Sequence, residues 1–218
     1  MDYPRKVEIF AETGADLIRE RIGPRYGGLV PVNPERPLEP GFIPAGREAR
    51  IVAVSHYPND GDLRGRVGDY EALRDRFIKW GTDRTVASYR AAYADWLDSV
   101  PVIPFHITHT LPVLSRLGMQ PDEIAWLPLV KAPMRPESRP RMAVIRKDRE
   151  ETMRQLRLLA PRVVWVQGIV AHDRVGKQIR DEITTRVVPH NISSRRGAES
   201  TREVIEAVVE KLAAFLRD

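Results

Sequence analysis

Ile51-Val52-Ala53-Val54 runs directly into Ser55-His56-Tyr57-Pro58-Asn59-Asp60-Gly61-Asp62. A short, continuous apolar run bounded by turn residues fits a strand buried on both faces. The polar stretch behind it, with Pro58, Asn59 and Gly61, has the composition of a turn. A second junction of the same kind lies far downstream, where Arg186-Val187-Val188-Pro189 delivers His190-Asn191-Ile192-Ser193-Ser194-Arg195-Arg196. Open α/β sheets place their chemistry at the carboxyl ends of parallel strands. Two strand-like runs that both end in polar residues therefore predict such a sheet, with these two junctions on its working edge.

Between the junctions the pattern alternates. Asp69 to Trp80 reads as a helix burying Leu73, Phe77, Ile78 and Trp80, and Thr85 to Leu97 as a second with Tyr89, Tyr93, Trp96 and Leu97 near one face. Thr110 before Pro112 is placed to cap a short helix that Gly118 stops. Ile124 to Val130 reads as a strand holding Pro128, which cannot donate to a ladder and so marks an irregular point. Asp148, with Glu151 in capping-box spacing, is expected to open a helix that carries Met153, Leu156 and Leu159 and ends at Pro161. Val163-Val164-Trp165-Val166 is the next strand, and Ser200-Thr201-Arg202-Glu203 caps a last helix with Val204, Val208, Leu212 and Phe215 inward.

Strands alternating with helices predict the α/β class, a three-layer α/β/α arrangement around a central, mostly parallel four-stranded sheet. Ahead of it, residues 7–22 are loosely helical with Gly14 as an interruption, and residues 23–48 are crowded with proline and glycine. The expected organisation is an N-terminal helix and Pro/Gly-rich arm, residues 1–48, packing on an α/β domain of residues 49–218.

Composition narrows the function classes. A chain of 218 residues can bury one full core. It contains no cysteine, which excludes disulfides, thiolate metal sites and a thiol nucleophile together. No apolar run approaches the length of a membrane span. The opening Met1-Asp2-Tyr3-Pro4-Arg5-Lys6 lacks the charged-then-apolar layout of a signal peptide, so a cytoplasmic location and no membrane partner are expected. The formal charge of +5 is compatible with a polyanionic partner, and only six of the 35 basic residues are lysine. Arginine's planar fork suits phosphates and base edges, although a GC-rich genome produces the same bias.

The chain resembles the uracil-DNA glycosylase superfamily over roughly residues 40 to 218. The match is best in the middle: Val130-Lys131-Ala132-Pro133, the turn Arg135-Pro136-Glu137-Ser138-Arg139-Pro140, and Pro161-Arg162-Val163-Val164-Trp165-Val166-Gln167-Gly168. Aligned by its proline, Ser55-His56-Tyr57-Pro58-Asn59 looks like the family's first functional motif, with His56 where an acid or amide positions water. Asp60 and Asp62 follow closely and would supply a carboxylate. His190 to Ser194 looks like a degenerate form of the final His-Pro-Ser loop, whose histidine stabilises the departing base and whose serine grips a phosphate.

What the resemblance implies is a DNA glycosylase-like protein. It would flip a non-standard or damaged base and hydrolyse its N-glycosidic bond, with no cofactor and no metal. Such a reaction passes through an oxocarbenium-like sugar while negative charge builds on the base, which is why a donor and a carboxylate are wanted there. His56, Asp60 and His190 are the expected catalytic residues; Tyr57, Pro58, Tyr70, Pro128 and Asn191 would meet the base. Lys131, Arg135, Arg139, Ser193, Ser194, Arg195 and Arg196 would meet DNA.

Two departures point away from ordinary uracil excision. Pro128 stands where the family reads uracil with an asparagine, and Arg64-Gly65-Arg66-Val67-Gly68 lacks the family's stacking phenylalanine, which Tyr57 or Tyr70 would replace. DNA, single strands included, is the expected partner, and the protein is expected to be a monomer. Two other readings stay open: a nucleic-acid-binding protein on this scaffold without catalysis, and an enzyme acting on nucleosides or nucleotides. His106 and His109, three apart in Phe105-His106-Ile107-Thr108-His109-Thr110, have no carboxylate partner nearby in sequence and are not assigned as metal ligands.

Overall fold

In the computed structural model of the chain, the residues described are 1–20, 25, 37–55, 70–103, 105–132, 142–168, 172–191 and 198–217. They form a three-layer α/β/α fold. Four strands, β1 (Ile51–Ser55), β2 (Ile124–Pro128), β3 (Val164–Gln167) and β4 (Val187–His190), lie in the order β2-β1-β3-β4. Every pairing is parallel. The helices are α1 (Tyr3–Arg19), α2 (Tyr70–Asp83), α3 (Val86–Ser99), α4 (Leu111–Arg116), α5 (Met142–Leu159), α6 (Lys177–Glu182) and α7 (Ala198–Arg217). Parallel strands need crossovers, and helices in those crossovers cover the sheet. That is why β1 and β3 are buried along nearly their whole length and carry almost continuous apolar sequence.

Register decides which side chains meet. Ala53 pairs with both Trp126 and Trp165, and Trp165 pairs with Val188. Two residues on, at the carboxyl edge, Ser55 pairs with Pro128 and Gln167 with His190. Alternation by two puts this terminal row, Pro128, Ser55, Gln167 and His190, on the face that also bears Trp126 and Trp165.

Several boundaries differ from the sequence reading, each for a local reason. Pro128 is the last residue of β2, and β2 is an edge strand, so no ladder bond is lost by its missing N–H. The outer side of β2 is met by Phe42, whose N–H and carbonyl both bond Trp126 at 2.7 Å. Asp148 does not open α5; it lies inside that helix, fully buried, and its carboxylate accepts the backbone N–H of Lys131 at 2.7 Å. Thr110 makes no cap, because the helix begins earlier with a wide π-type turn, His106–Thr110, that runs straight into α4. Gly118 does stop α4 in the left-handed region, at φ 64°.

The N-terminal segment joins the main core. Val7, Phe10, Ala11, Ala15, Leu17 and Ile18 of α1 share one buried cluster with the sheet. Gly14 does not interrupt α1; it lets Trp80 approach so closely that a Cβ there would stand 2.4 Å from the indole Cζ2. The indole N–H of Trp80 donates to the Ala11 carbonyl at 2.9 Å. In the Pro-rich stretch that reads as an arm, Leu38, Phe42 and Ile43 are fully buried or nearly so, and Phe42 packs among Phe77, Tyr93 and Trp96.

Candidate functional site

His190 closes β4 at the carboxyl edge of the sheet, and its carbonyl accepts the N–H of Gly168 at 2.9 Å. Its imidazole is 0% exposed. One face lies parallel to the indole of Trp165, with ring centroids 5.7 Å apart and 9° between planes. His109 meets it edge-on, at 5.7 Å and 81°. Among the described residues, neither ring nitrogen of His190 has a hydrogen-bond partner. Burial, with the nearby His109 adding to it, pushes the pKa of His190 down to about 4. The ring is therefore neutral at ordinary pH and holds one N–H and one lone pair that are both unspent.

The residues around it are placed by two elements. The alternation of β3 brings Trp165 and Gln167 to the face that carries His190. The π-type turn brings His109 to the same place, while His106 and Thr110 are buried beneath it. The Thr110 hydroxyl bonds His106 Nδ1 at 3.2 Å and accepts from Gln167 Nε2 at 3.3 Å. His106 packs edge-on against Trp126 and Trp96, and burial lowers its pKa to about 4. His109 is shifted down by burial too.

Among the described residues, five buried side-chain atoms in this cluster find no hydrogen-bond partner: His190 Nδ1 and Nε2, His109 Nδ1, Gln167 Oε1 and Trp165 Nε1. Buried polar groups in native proteins are nearly always paired, so five gathered at one place need an explanation. The cluster of Trp165, Gln167, His109 and His190 also has no side chain that carries charge near neutral pH.

The residues expected from the sequence meet different fates. His190 and Pro128 both lie in the terminal row, but Pro128 is buried and its carbonyl accepts from Lys131 Nζ at 2.7 Å and from the Thr152 hydroxyl at 3.2 Å. Asn191 is exposed just beyond β4. Lys131 corrects the reading: it is 0% exposed and faces inward, away from any phosphate. Its ammonium donates to the carbonyls of Pro40 and Pro128 and to Gln155 Oε1, at 3.3, 2.7 and 2.8 Å. Burial pushes its pKa down to about 7. A lysine whose three N–H groups are all taken up inside the protein is a structural residue.

Tyr70 is the first residue of α2. His56, Tyr57, Pro58, Asp60, Arg135, Arg139, Ser193, Ser194, Arg195 and Arg196 lie outside the described residues. Sequence reasoning missed Trp165, Gln167 and His109. The signal for Gln167 was a polar residue ending an apolar strand, as His190 ends its own. For His109 the sequence shows only a second histidine three residues after His106; its place beside His190, 81 residues on, comes from packing.

Comparison with known protein families and with curated proteins finds no match to either.

Proposed function

We propose that the protein is a DNA glycosylase-like hydrolase, a divergent relative of the uracil-DNA glycosylase superfamily. It acts as a monomer in the cytoplasm on a non-standard or damaged base, single strands included. The observation that supports this most is the state of His190. A neutral imidazole at the carboxyl end of a parallel strand keeps a free N–H, buried away from water.

In the reaction the bond between C1′ and the base nitrogen breaks, and its electron pair leaves with the base. The sugar becomes oxocarbenium-like, water adds to C1′, and the proton lost by that water goes to solvent or to the base. His190 donates its N–H to the negative charge growing on the base. A neutral donor suits this role because it stabilises that charge without having to lose its own proton. Donors preorganised in a dry site contribute about 3 to 4 kcal/mol when aimed at developing charge. By the sequence resemblance, His56 and Asp60 position the water and Tyr57, Pro58, Tyr70 and Asn191 contact the flipped base. Arg135, Arg139, Ser193, Ser194, Arg195 and Arg196 hold phosphates.

The test is a strand-cleavage screen on oligonucleotides carrying uracil, hypoxanthine, xanthine, alkylated and oxidised bases, followed by alkali. Wild type should cut at one class of base. His190→Ala should lose about 100-fold or more in turnover while keeping its DNA affinity and its melting temperature within a few degrees. No product on any substrate, with DNA binding that weakens steeply in salt, would replace this reading with a binding protein on the same fold.

A further inference from the structure

At the amino end of the sheet, opposite His190, lies a cavity of about 250 Å³. Its floor is apolar: Val52, Leu159 and Val163 belong to the main core. Tyr3, from the first turn of α1, and Phe215 and Leu216, from the last turn of α7, form its walls. The Tyr3 hydroxyl donates to the Pro44 carbonyl at 2.6 Å, so the polar end of the phenol is already satisfied and its ring serves the wall. Arg186 fixes the other side, donating to the Phe215 carbonyl at 3.1 Å with its guanidinium 5.9 Å from the centre of that ring. At roughly 30 Å³ per water, the space is that of about eight waters, enough for one ring or a short alkyl chain.

The rim is cationic. Glu48 pairs with Lys6 at 3.4 Å, whereas Arg50 and Arg162 have no carboxylate partner among the described residues. Both arginines are exposed. Arg50 stands two residues before Val52, and Arg162 two before Val164, its register partner. The two therefore open neighbouring strands, whose backbones lie about 5 Å apart. Their main chains are held in place: the Arg50 N–H donates to the Glu123 carbonyl at 3.2 Å, and the Arg162 carbonyl accepts from the Thr184 hydroxyl at 3.1 Å. Like charges side by side on paired strands repel each other. An anion between them relieves that repulsion, and a guanidinium fork matches a carboxylate or a phosphate.

We infer that this cavity binds a small amphipathic anion, with a ring or short alkyl chain on the apolar floor and a carboxylate or phosphate on Arg50 and Arg162. The site lies at the other end of β1 and β3 from His190 and does not rest on the glycosylase reading.

The experiment uses the full chain and calorimetry. Phenylpropionate, octanoate and phenyl phosphate are titrated beside phenylpropanol and octanol, which lack the charge, and acetate and inorganic phosphate, which lack the apolar body. At least one of the three amphipathic anions should bind saturably and raise the melting temperature. Its controls should bind at least about ten-fold more weakly. Arg50→Gln and Arg162→Gln should each weaken that anion about ten-fold and, as exposed positions, leave the melting temperature within a few degrees. A preference between carboxylate and phosphate names the head group. No saturable binding of any of the three overturns the site. So does an alcohol that binds as tightly as its acid, which leaves only an apolar groove, and so does unchanged affinity in both arginine variants. Much earlier melting of both variants overturns it too, by assigning the two arginines to the carboxyl ends of α5 and α7 as supports of the fold.

Discussion

Two buried polar clusters sit at the same edge of the same sheet, and they are built in opposite ways. Beyond β2, the Lys131 ammonium has three acceptors for three N–H groups, and Gln155 uses its amide oxygen on Lys131 and its amide nitrogen on Pro40 at 2.8 Å. Asp148 accepts the Lys131 backbone N–H and pairs with Arg25 at 2.9 Å. At the ends of β3 and β4, five polar atoms are left without a partner. Burying a polar group is tolerable when its hydrogen bonds are replaced and costly when they are not. The first cluster therefore fastens the fold: it ties the Pro40 segment and α5 to the end of β2. The second holds five buried polar atoms to which the described residues supply no hydrogen bond, so its contribution to the fold should be smaller.

The largest effect should come from breaking the satisfied cluster. Asp148→Ala takes a buried carboxylate from the Arg25 guanidinium, which keeps Glu20, and removes the acceptor of the Lys131 N–H; loss of one partner of a buried pair costs about 3 to 5 kcal/mol. Urea denaturation would read this directly. A loss under about 1 kcal/mol would mean the cluster is no more than a surface pair and would break the comparison.

The next effect is a pH dependence that differs between the clusters. His106 and His190 titrate near 4 when folded against an unfolded value of 6.5. Between those values the unfolded chain binds more protons, so stability falls as the pH drops through that window. Lys131 behaves alike but higher, at about 7 when folded against 10.5. Its contribution is complete above 10.5 and declines as the pH falls toward 7. Melting curves from pH 4 to 10 should show both limbs, and Lys131→Met should erase only the alkaline one. That substitution leaves Gln155 Oε1 without its donor and should cost about 1 to 3 kcal/mol. An alkaline limb that survives in Lys131→Met would assign it to another group.

How much of this was legible in the sequence depended on range. The strands at 51, 124, 164 and 187 showed themselves as short apolar runs, and the helices read between the first three pointed to a parallel sheet, while Lys177–Glu182 before the fourth was not read. Local signals misled where tertiary partners outbid them: Asp148 has capping-box spacing, yet its carboxylate is taken by Lys131, 17 residues before it. Gly14 looked like a helix breaker because sequence does not show Trp80 lying against it. In the candidate site His190 was legible as a polar residue at a strand end. Its companions were not, since the register that sets Gln167 beside it and the turn that delivers His109 are properties of the packed sheet. Lys131 sits in a family-like Val-Lys-Ala-Pro run, where lysine next to proline gave no hint of an inward side chain.

The smallest effect sharpens the comparison most. In the satisfied cluster any loss of a polar group should destabilise. In the unsatisfied one, Gln167→Met removes an oxygen that has no partner and a nitrogen whose one bond, to Thr110, is 3.3 Å long. Thr110 keeps His106 as its partner. The two side chains are of similar length, so little cavity is opened. Losing a weak bond and relieving an unpaired acceptor nearly offset each other, and the free protein should shift by no more than about 0.5 kcal/mol, toward greater stability if at all. Denaturant midpoints of wild type and variant, measured side by side without added ligand, resolve such a difference. A loss above about 1.5 kcal/mol would place Gln167 with Lys131 and Asp148 as a residue that holds the fold. A neutral or stabilised variant would show that this amide, unlike the groups of the Lys131 cluster, does not hold the fold.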